Sequence, residues 1–201
     1  MQKFVECFFD VGSPAAYLAW TQLPRIAAEA GAKLIWRPML LGGVFKATGN
    51  LSPVTVAAKG RWLMHDLARW ATRYGVAFQP PANFPINTLA LMRGAVGIQI
   101  RQPHDLARYL AAVFEGIFAR GLALDDPAVV AQVLGDAGFD TATFLALTGD
   151  PQVKQALVAN TEEAVARGVF GAPSMFVGEV LHFGQDRLDF VAAALRDSSH
   201  A

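Results

Sequence analysis

The chain has 201 residues, 53% of them apolar, and its 17 basic and 17 acidic residues cancel to a formal net charge of zero, with a pI of about 6.9. That length suits one domain, or one domain carrying a large insertion, and the charge balance lacks the basic footprint that nucleic acid or an anionic membrane surface requires. One cysteine, Cys7, excludes an internal disulfide and any two-cysteine metal site.

The segment from Phe4 to Val11 is short, aromatic and β-branched, which predicts a buried strand with Cys7 as a small core residue. Gly12 ends it. Pro14 fits the first helical position, so Ser13 is the N-cap of a helix whose apolar positions are Tyr17, Leu18, Trp20, Leu23, Ile26 and Ala27. Gly31 closes that helix, and Lys33 to Met39 alternates as a second strand ended by Pro38. Strand, helix and strand with short connections predict a parallel βαβ unit. From Leu40 to Pro53 the composition turns to Gly, Thr, Asn, Ser and Pro, which predicts a long ligand-facing loop.

From Val56 to about Thr148 the patterns are helical only. Lys59 to Tyr74 sets Trp62, Leu63, Leu67, Trp70 and Ala71 on one face, with Gly75 as the stop. Pro80, Pro81 and Pro85 make 78–85 an irregular connector. Helices are then expected over 88–100, 106–118, 128–137 and 141–147. After a further helix over 153–166, Gly171-Ala172-Pro173 leads into a strand from Ser174 to Val177. Gly178-Glu179 reads as a hairpin turn to Val180–Phe183. Asp186 is expected to cap a last helix that turns Leu188, Phe190, Val191 and Leu195 inward. The order β-α-β, helical run, α-β-β-α matches an α/β thioredoxin-like fold with an inserted all-helical domain. The thioredoxin-like parts are 1–42 and 151–201, and the insertion is 43–150.

In that fold the end of the first strand and the start of the first helix form the reactive corner. Redox members carry Cys-x-x-Cys there; this chain has Ser13-Pro14-Ala15-Ala16, which excludes dithiol chemistry. A hydroxyl among the unpaired N–H groups of a helix N-terminus suits an anion, and a bound thiolate is the natural one. Lowering a thiol from about 8.5 by two pKa units requires roughly 2.7 kcal/mol. A hydrogen bond to a charged acceptor supplies roughly 1.5–3 kcal/mol and a helix terminus about 0.3–2 kcal/mol, which together suffice. The other reading of Ser13 is a plain N-cap that bonds its own helix.

Two further segments sit near this corner in the expected fold. A cis bond at Ala172-Pro173 would present the Ala172 backbone to a peptide-like ligand as an added strand; a strand-entry proline is the alternative. Phe183-Gly184-Gln185-Asp186 can receive a γ-glutamyl group, with Asp186 toward its amine and backbone N–H groups toward its carboxylate, or Asp186 is a cap alone. Lys46 and Asn50 sit on the expected loop and Lys59 on the helix after it, and Lys46, beside Val44 and Phe45, is the better candidate for a substrate carboxylate or a developing oxyanion. Trp62, Trp70 and Phe84 are core residues or the wall of an aromatic pocket. His65, His104, His182 and His200 lack metal spacing, so no metal is expected. The direct entry from Met1-Gln2-Lys3 into a strand, and the lack of any run of about 18 uncharged apolar residues, predict a soluble cytoplasmic protein without leader or membrane span.

Phe8-Phe9-Asp10-Val11-Gly12-Ser13-Pro14 with Tyr17-Leu18-Ala19, the stretch Phe45-Lys46-Ala47-Thr48-Gly49-Asn50, Gly168 to Phe176 and Phe183 to Leu188 together resemble the 2-hydroxychromene-2-carboxylate isomerase family. That family is related to kappa-class glutathione transferases within the thioredoxin-like bacterial disulfide-oxidase group. The resemblance implies a glutathione-dependent isomerase of naphthalene-type aromatic catabolism, a homodimer like its members, acting on a small aromatic carboxylate. It implies that Ser13 holds the glutathione sulfur, that Ala172, Phe183, Gly184, Gln185 and Asp186 bind the tripeptide, and that Lys46, Asn50 and Phe84 serve the substrate. A kappa-type transferase that conjugates electrophiles and a non-catalytic glutathione or hydrophobic-ligand binder are the alternatives.

Overall fold

The computed structural model describes residues 2–197, so His200 lies outside the described residues. The elements run β1 (Phe4–Phe9), α1 (Pro14–Glu29), β2 (Lys33–Pro38), α2 (Leu41–Thr48), α3 (Ala57–Tyr74), α4 (Leu89–Arg101), α5 (Leu106–Phe118), α6 (Pro127–Asp136), α7 (Thr141–Gly149), α8 (Pro151–Ala166), β3 (Ser174–Val177), β4 (Val180–Phe183) and α9 (Leu188–Asp197). The four strands lie in the order β2-β1-β3-β4. β1 pairs parallel with β2 through Phe4↔Lys33 to Phe9↔Pro38, and antiparallel with β3 through Cys7↔Met175. β3 and β4 close as a hairpin with Val177 opposite Val180, and Gly178 takes φ 58° at the turn. This is the expected α/β thioredoxin-like arrangement, with every element from α2 to α8 helical.

One hydrophobic core runs from the sheet into those helices. The Phe114 ring of α5 lies 6.0 Å from Phe9 of β1, 6.1 Å from Tyr17 and 5.5 Å from Trp20 of α1, and Phe118 lies 5.5 Å from Tyr17. Aromatic pairs at these separations add to the free energy of area burial, so α5 is fixed directly on the β1–α1 unit. Cys7 is buried at the centre of β1, where the apolar surroundings push its thiol pKa up and keep it inert.

Three local expectations are corrected. Residues 41–48 form helix α2, where the sequence predicts loop. Leu40 offers no capping side chain, and the N–H groups of Leu40 and Leu41 are met from far away, by the Thr161 hydroxyl at 3.0 Å and the Asp10 carboxylate at 2.8 Å. Val44 is buried below, and Gly49 ends the helix at φ 72°. At the other end of the chain Asp186 does not cap α9. It sits in a 3-10 turn over Gln185–Arg187, and its carboxylate accepts from Arg187 at 2.5 Å. Finally, Phe190 of α9 is 57% exposed and does not turn inward as its spacing predicts, and Trp62 of α3, at 62% exposed, is not a core residue.

Candidate active site

β1 ends at Phe9, and the chain then makes a tight turn before α1. Ser13 N–H donates to the Asp10 carbonyl at 3.0 Å, and Gly12 N–H donates to the Asp10 side chain at 2.9 Å. An aspartate bonding its own backbone two residues on is the Asx turn that such residues favour. It delivers Ser13 in extended conformation, φ −92° and ψ 114°, to the head of α1, where its Oγ accepts the Ala16 N–H at 3.1 Å. Ser13 is therefore a real N-cap. It is more than that, because the same hydroxyl donates to the Ala172 carbonyl at 2.9 Å, 159 positions away in sequence.

In the first turn of α1, Pro14 has no N–H, Ala16 is bonded to Ser13 Oγ and Tyr17 to the Ser13 carbonyl. The N–H of Ala15 is left, and Ala15 borders a cavity of about 560 Å³. That volume lies within the range of small-molecule sites. Its floor is Gly12, Ser13 and Ala172, and one side carries Phe183, Gly184, Gln185 and Asp186. The opposite wall is apolar, with Phe45 from α2, Leu51 from the segment that leads to α3, Trp62, Leu63 and Leu67 from α3, and Phe84 ahead of α4. A second cavity of about 350 Å³ between α4, α5 and α7 shares no residue with the first.

The Ala172–Pro173 peptide bond is cis, and so is Phe84–Pro85. The Pro173 carbonyl accepts the Gly184 N–H at 3.0 Å, which joins the two backbone segments beside Ser13. Tyr74 of α3 reaches the same place: its hydroxyl donates to the Gln185 carbonyl at 2.6 Å, and burial pushes its pKa up to about 12. Phe170 and Phe183 lie 4.5 Å apart at the rim. A side chain on Gly171 would put Cβ 2.7 Å from the Phe183 ring, so glycine lets that ring close over the backbone.

The expected site residues are therefore mostly brought together. Ser13, Ala172, Phe183, Gly184, Gln185, Asp186, Asn50 and Phe84 all border one cavity. Asn50 is already engaged, its amide donating to the Phe170 carbonyl at 2.8 Å. Lys46 stands exposed in the last turn of α2, outside the lining, as does Lys59 on α3. Among the described residues no lysine, arginine or histidine borders the cavity, so a ligand carboxylate there meets backbone N–H groups before it meets any cation. Of the aromatic trio, Trp62 and Phe84 border the cavity, whereas Trp70 packs at 5.4 Å on Tyr74 with Arg73 over its ring. No group of three His, Cys, Asp or Glu side chains converges as a metal site among the described residues.

Sequence reasoning missed Asp10, which is 2% exposed and borders the cavity. Burial raises its carboxyl pKa, against the lowering effect of bonds from Gly12, Leu41 and Thr88. The local signal was present in the Asp10-Val11-Gly12 spacing, which is that of an Asx turn; the Leu41 and Thr88 contacts span 31 positions or more and had none.

Comparison with known proteins fits this geometry. The family of DSBA-like thioredoxin domains matches residues 4–196. The 2-hydroxychromene-2-carboxylate isomerase of Sphingobium xenophagum is 30% identical over 199 residues, covering 98% of this chain and 100% of that protein. Glutathione s-transferase kappa 2 of Caenorhabditis elegans is 30% identical over 209 residues, covering 98% and 93% of the two chains. A solved 2-hydroxychromene-2-carboxylate isomerase superposes with a TM-score of 0.87 at 29% identity, covering 98% of this chain and 96% of that one. The chain belongs to the DSBA-like thioredoxin domain family and, within it, to the enzymes of the 2-hydroxychromene-2-carboxylate isomerase family.

Proposed function

We propose that this enzyme is a glutathione-dependent isomerase that interconverts 2-hydroxychromene-2-carboxylate and trans-o-hydroxybenzylidenepyruvate in naphthalene-type aromatic catabolism. The observation that carries the reading is the Ser13 hydroxyl, held at the N-terminus of α1 and shared with the Ala172 carbonyl on the floor of an apolar cavity. It is supported by isomerase relatives that span the whole chain.

The Ser13–Ala172 bond gives the binding step a definite form. An N–H of the tripeptide backbone takes the Ala172 carbonyl, as an added strand would, and releases the Ser13 proton to the sulfur. Ser13 Oγ keeps the Ala16 N–H, which polarises its O–H toward the thiolate. Phe183, Gly184, Gln185 and Asp186 receive the γ-glutamyl end, and Phe84 with Trp62 faces the aromatic ring. Asn50 holds the rim; backbone N–H groups meet the substrate carboxylate first, and Lys46 reaches it only by swinging in from outside the lining.

The chemistry is redox-neutral. Ring opening breaks the C2–O bond of the hemiketal, the C2 hydroxyl becoming the ketone and its proton passing to the phenol oxygen; the thiolate then forms a C–S bond at the conjugated carbon of the enone, and the electron pair of the double bond moves to the carbonyl as an enolate. The former double bond rotates. Collapse of the enolate restores the double bond in trans geometry, breaks the C–S bond and returns the thiolate. Donors at a developing oxyanion stabilise the enolate.

The test is a mass balance: incubation of the chromene carboxylate with enzyme and glutathione yields the trans-benzylidenepyruvate with all glutathione recovered, and no turnover without glutathione. Equal rates without glutathione contradict the reading. The full-length similarity to a kappa-class transferase favours a second one, conjugation of electrophiles, for which glutathione would instead be consumed as a stable thioether.

A further inference from the structure

We propose that Asp10 is a positioning residue whose buried carboxylate registers the Ser13 corner against the apolar wall of the cavity. The consequence for turnover rests on the glutathione reading above; the positioning itself does not.

Asp10 is 2% exposed and bonds three separate segments. Oδ1 accepts the Gly12 N–H at 2.9 Å, within the turn that carries Ser13. Oδ2 accepts the N–H of Leu41 at 2.8 Å, the first residue of α2, which bears the wall residues Leu41 and Phe45. The hydroxyl of Thr88, at the head of α4 behind the wall residues Phe84 and Ile86, bonds the same carboxylate. Both helices lack a side-chain cap of their own. Asp10 supplies the acceptor that Leu40 cannot, and Thr88 turns its hydroxyl to Asp10 in place of its own helix.

No lysine or arginine forms an ion pair with Asp10 among the described residues. Its charge is met by hydrogen-bond donors and the positive ends of helices, which is an arrangement that depends on all the donors staying in place. With its lone pairs committed in this way, Asp10 is poorly suited to exchange a proton with substrate. What it does is fix distances. Serine at one side of the cavity and the aromatic wall at the other must hold sulfur and substrate in attack geometry, and a misplacement of about 1 Å costs on the order of a hundredfold in rate.

Asp10→Asn keeps the size but directs an NH₂ at one of the two backbone N–H groups, so one bond is lost outright and the other is left with a neutral, weaker acceptor. Thr88→Val removes the third donor and leaves the carboxylate intact. Amide exchange, which needs no ligand, is expected to accelerate about tenfold or more at both Gly12 and Leu41 in Asp10→Asn, with β3 unchanged. In the isomerase assay kcat is expected to fall about 10- to 100-fold with KM changed less than about threefold, and Thr88→Val is expected to give the same pattern more weakly. Exchange within twofold of wild type in both variants overturns the proposal, as does acceleration confined to one of the two amides. If Asp10→Asn does not fold, Thr88→Val decides by the same two amides. A wild-type enzyme indifferent to glutathione sinks the functional reading and leaves the exchange result to decide this one.

Discussion

The two sides of the cavity are built differently. The Ser13 side is backbone and short side chains held by directed bonds: Ser13 to Ala172, Gly184 to Pro173, Gly12 and Leu41 to Asp10. The far wall is side chains of Phe45, Leu51, Trp62 and Phe84 with few polar constraints, and Leu51 and Trp62 are 68% and 62% exposed. Directed bonds fix atoms to fractions of an ångström, whereas apolar contact is tolerant of shape. The first side suits a step that every substrate shares. The second suits recognition of whichever ring is presented, and its exposure is the cost of leaving that surface for a ligand to cover.

Breaking the first side should therefore damage rate, and breaking the second should damage affinity. Ser13→Ala removes the proposed donor to sulfur and is expected to lower kcat by about 10²- to 10³-fold, measured by steady-state turnover at saturating substrate. Equal loss in KM and none in kcat would place Ser13 among ordinary contacts.

Gly12→Ala tests the rigidity of the same side. A Cβ there would lie 2.8 Å from Thr88 Cγ2 and 3.4 Å from Asp10 Oδ1, so denaturant unfolding should show a loss of about 1–3 kcal/mol. An unchanged midpoint would mean that the turn yields freely.

Trp62→Ala sharpens the contrast from the wall. The side chain is mostly solvent-exposed without ligand, so stability should stay within about 0.5 kcal/mol while KM for the aromatic substrate rises roughly five- to thirtyfold. A fall in stability larger than the effect on KM would return Trp62 to the core.

The smallest effect lies outside both sides. Asp140 and Asp150 cap α7 and α8, and their carboxyl pKa values are lowered, Asp140 chiefly by the Thr143 hydroxyl and Asp150 chiefly by Arg101. A lowered folded pKa means that the stabilisation is present above the unfolded value, near 3.8, and is lost as pH falls through the folded one. Acid titration of thermal stability should show this loss below about pH 3.8, and Asp140→Asn should diminish it without altering turnover at neutral pH.

Which of these features could be read from the sequence follows from how local their causes are. Ser13 and Pro14 state a helix start within two residues, and Ser174 to Phe183 states a hairpin through Gly178, so both were legible. Helix α2 was not, because its caps come from Asp10 and Thr161 and its composition of Gly42, Gly43 and Thr48 argues for loop. The inward assignment of Phe190 failed for a different reason: periodicity gives a face, and only the packed neighbours decide how far that face extends. The double use of the Ser13 hydroxyl depends on Ala172 arriving beside it, which no spacing announces.

The central claim is that Ser13 holds the sulfur of a bound glutathione as thiolate. Titrating the ultraviolet thiolate band of glutathione bound to wild type and to Ser13→Ala tests it directly. The account predicts an apparent pKa about two units below the free thiol value of about 8.5 in wild type, and recovery of a unit or more of that shift in the variant. Identical titration curves for the two proteins would contradict it.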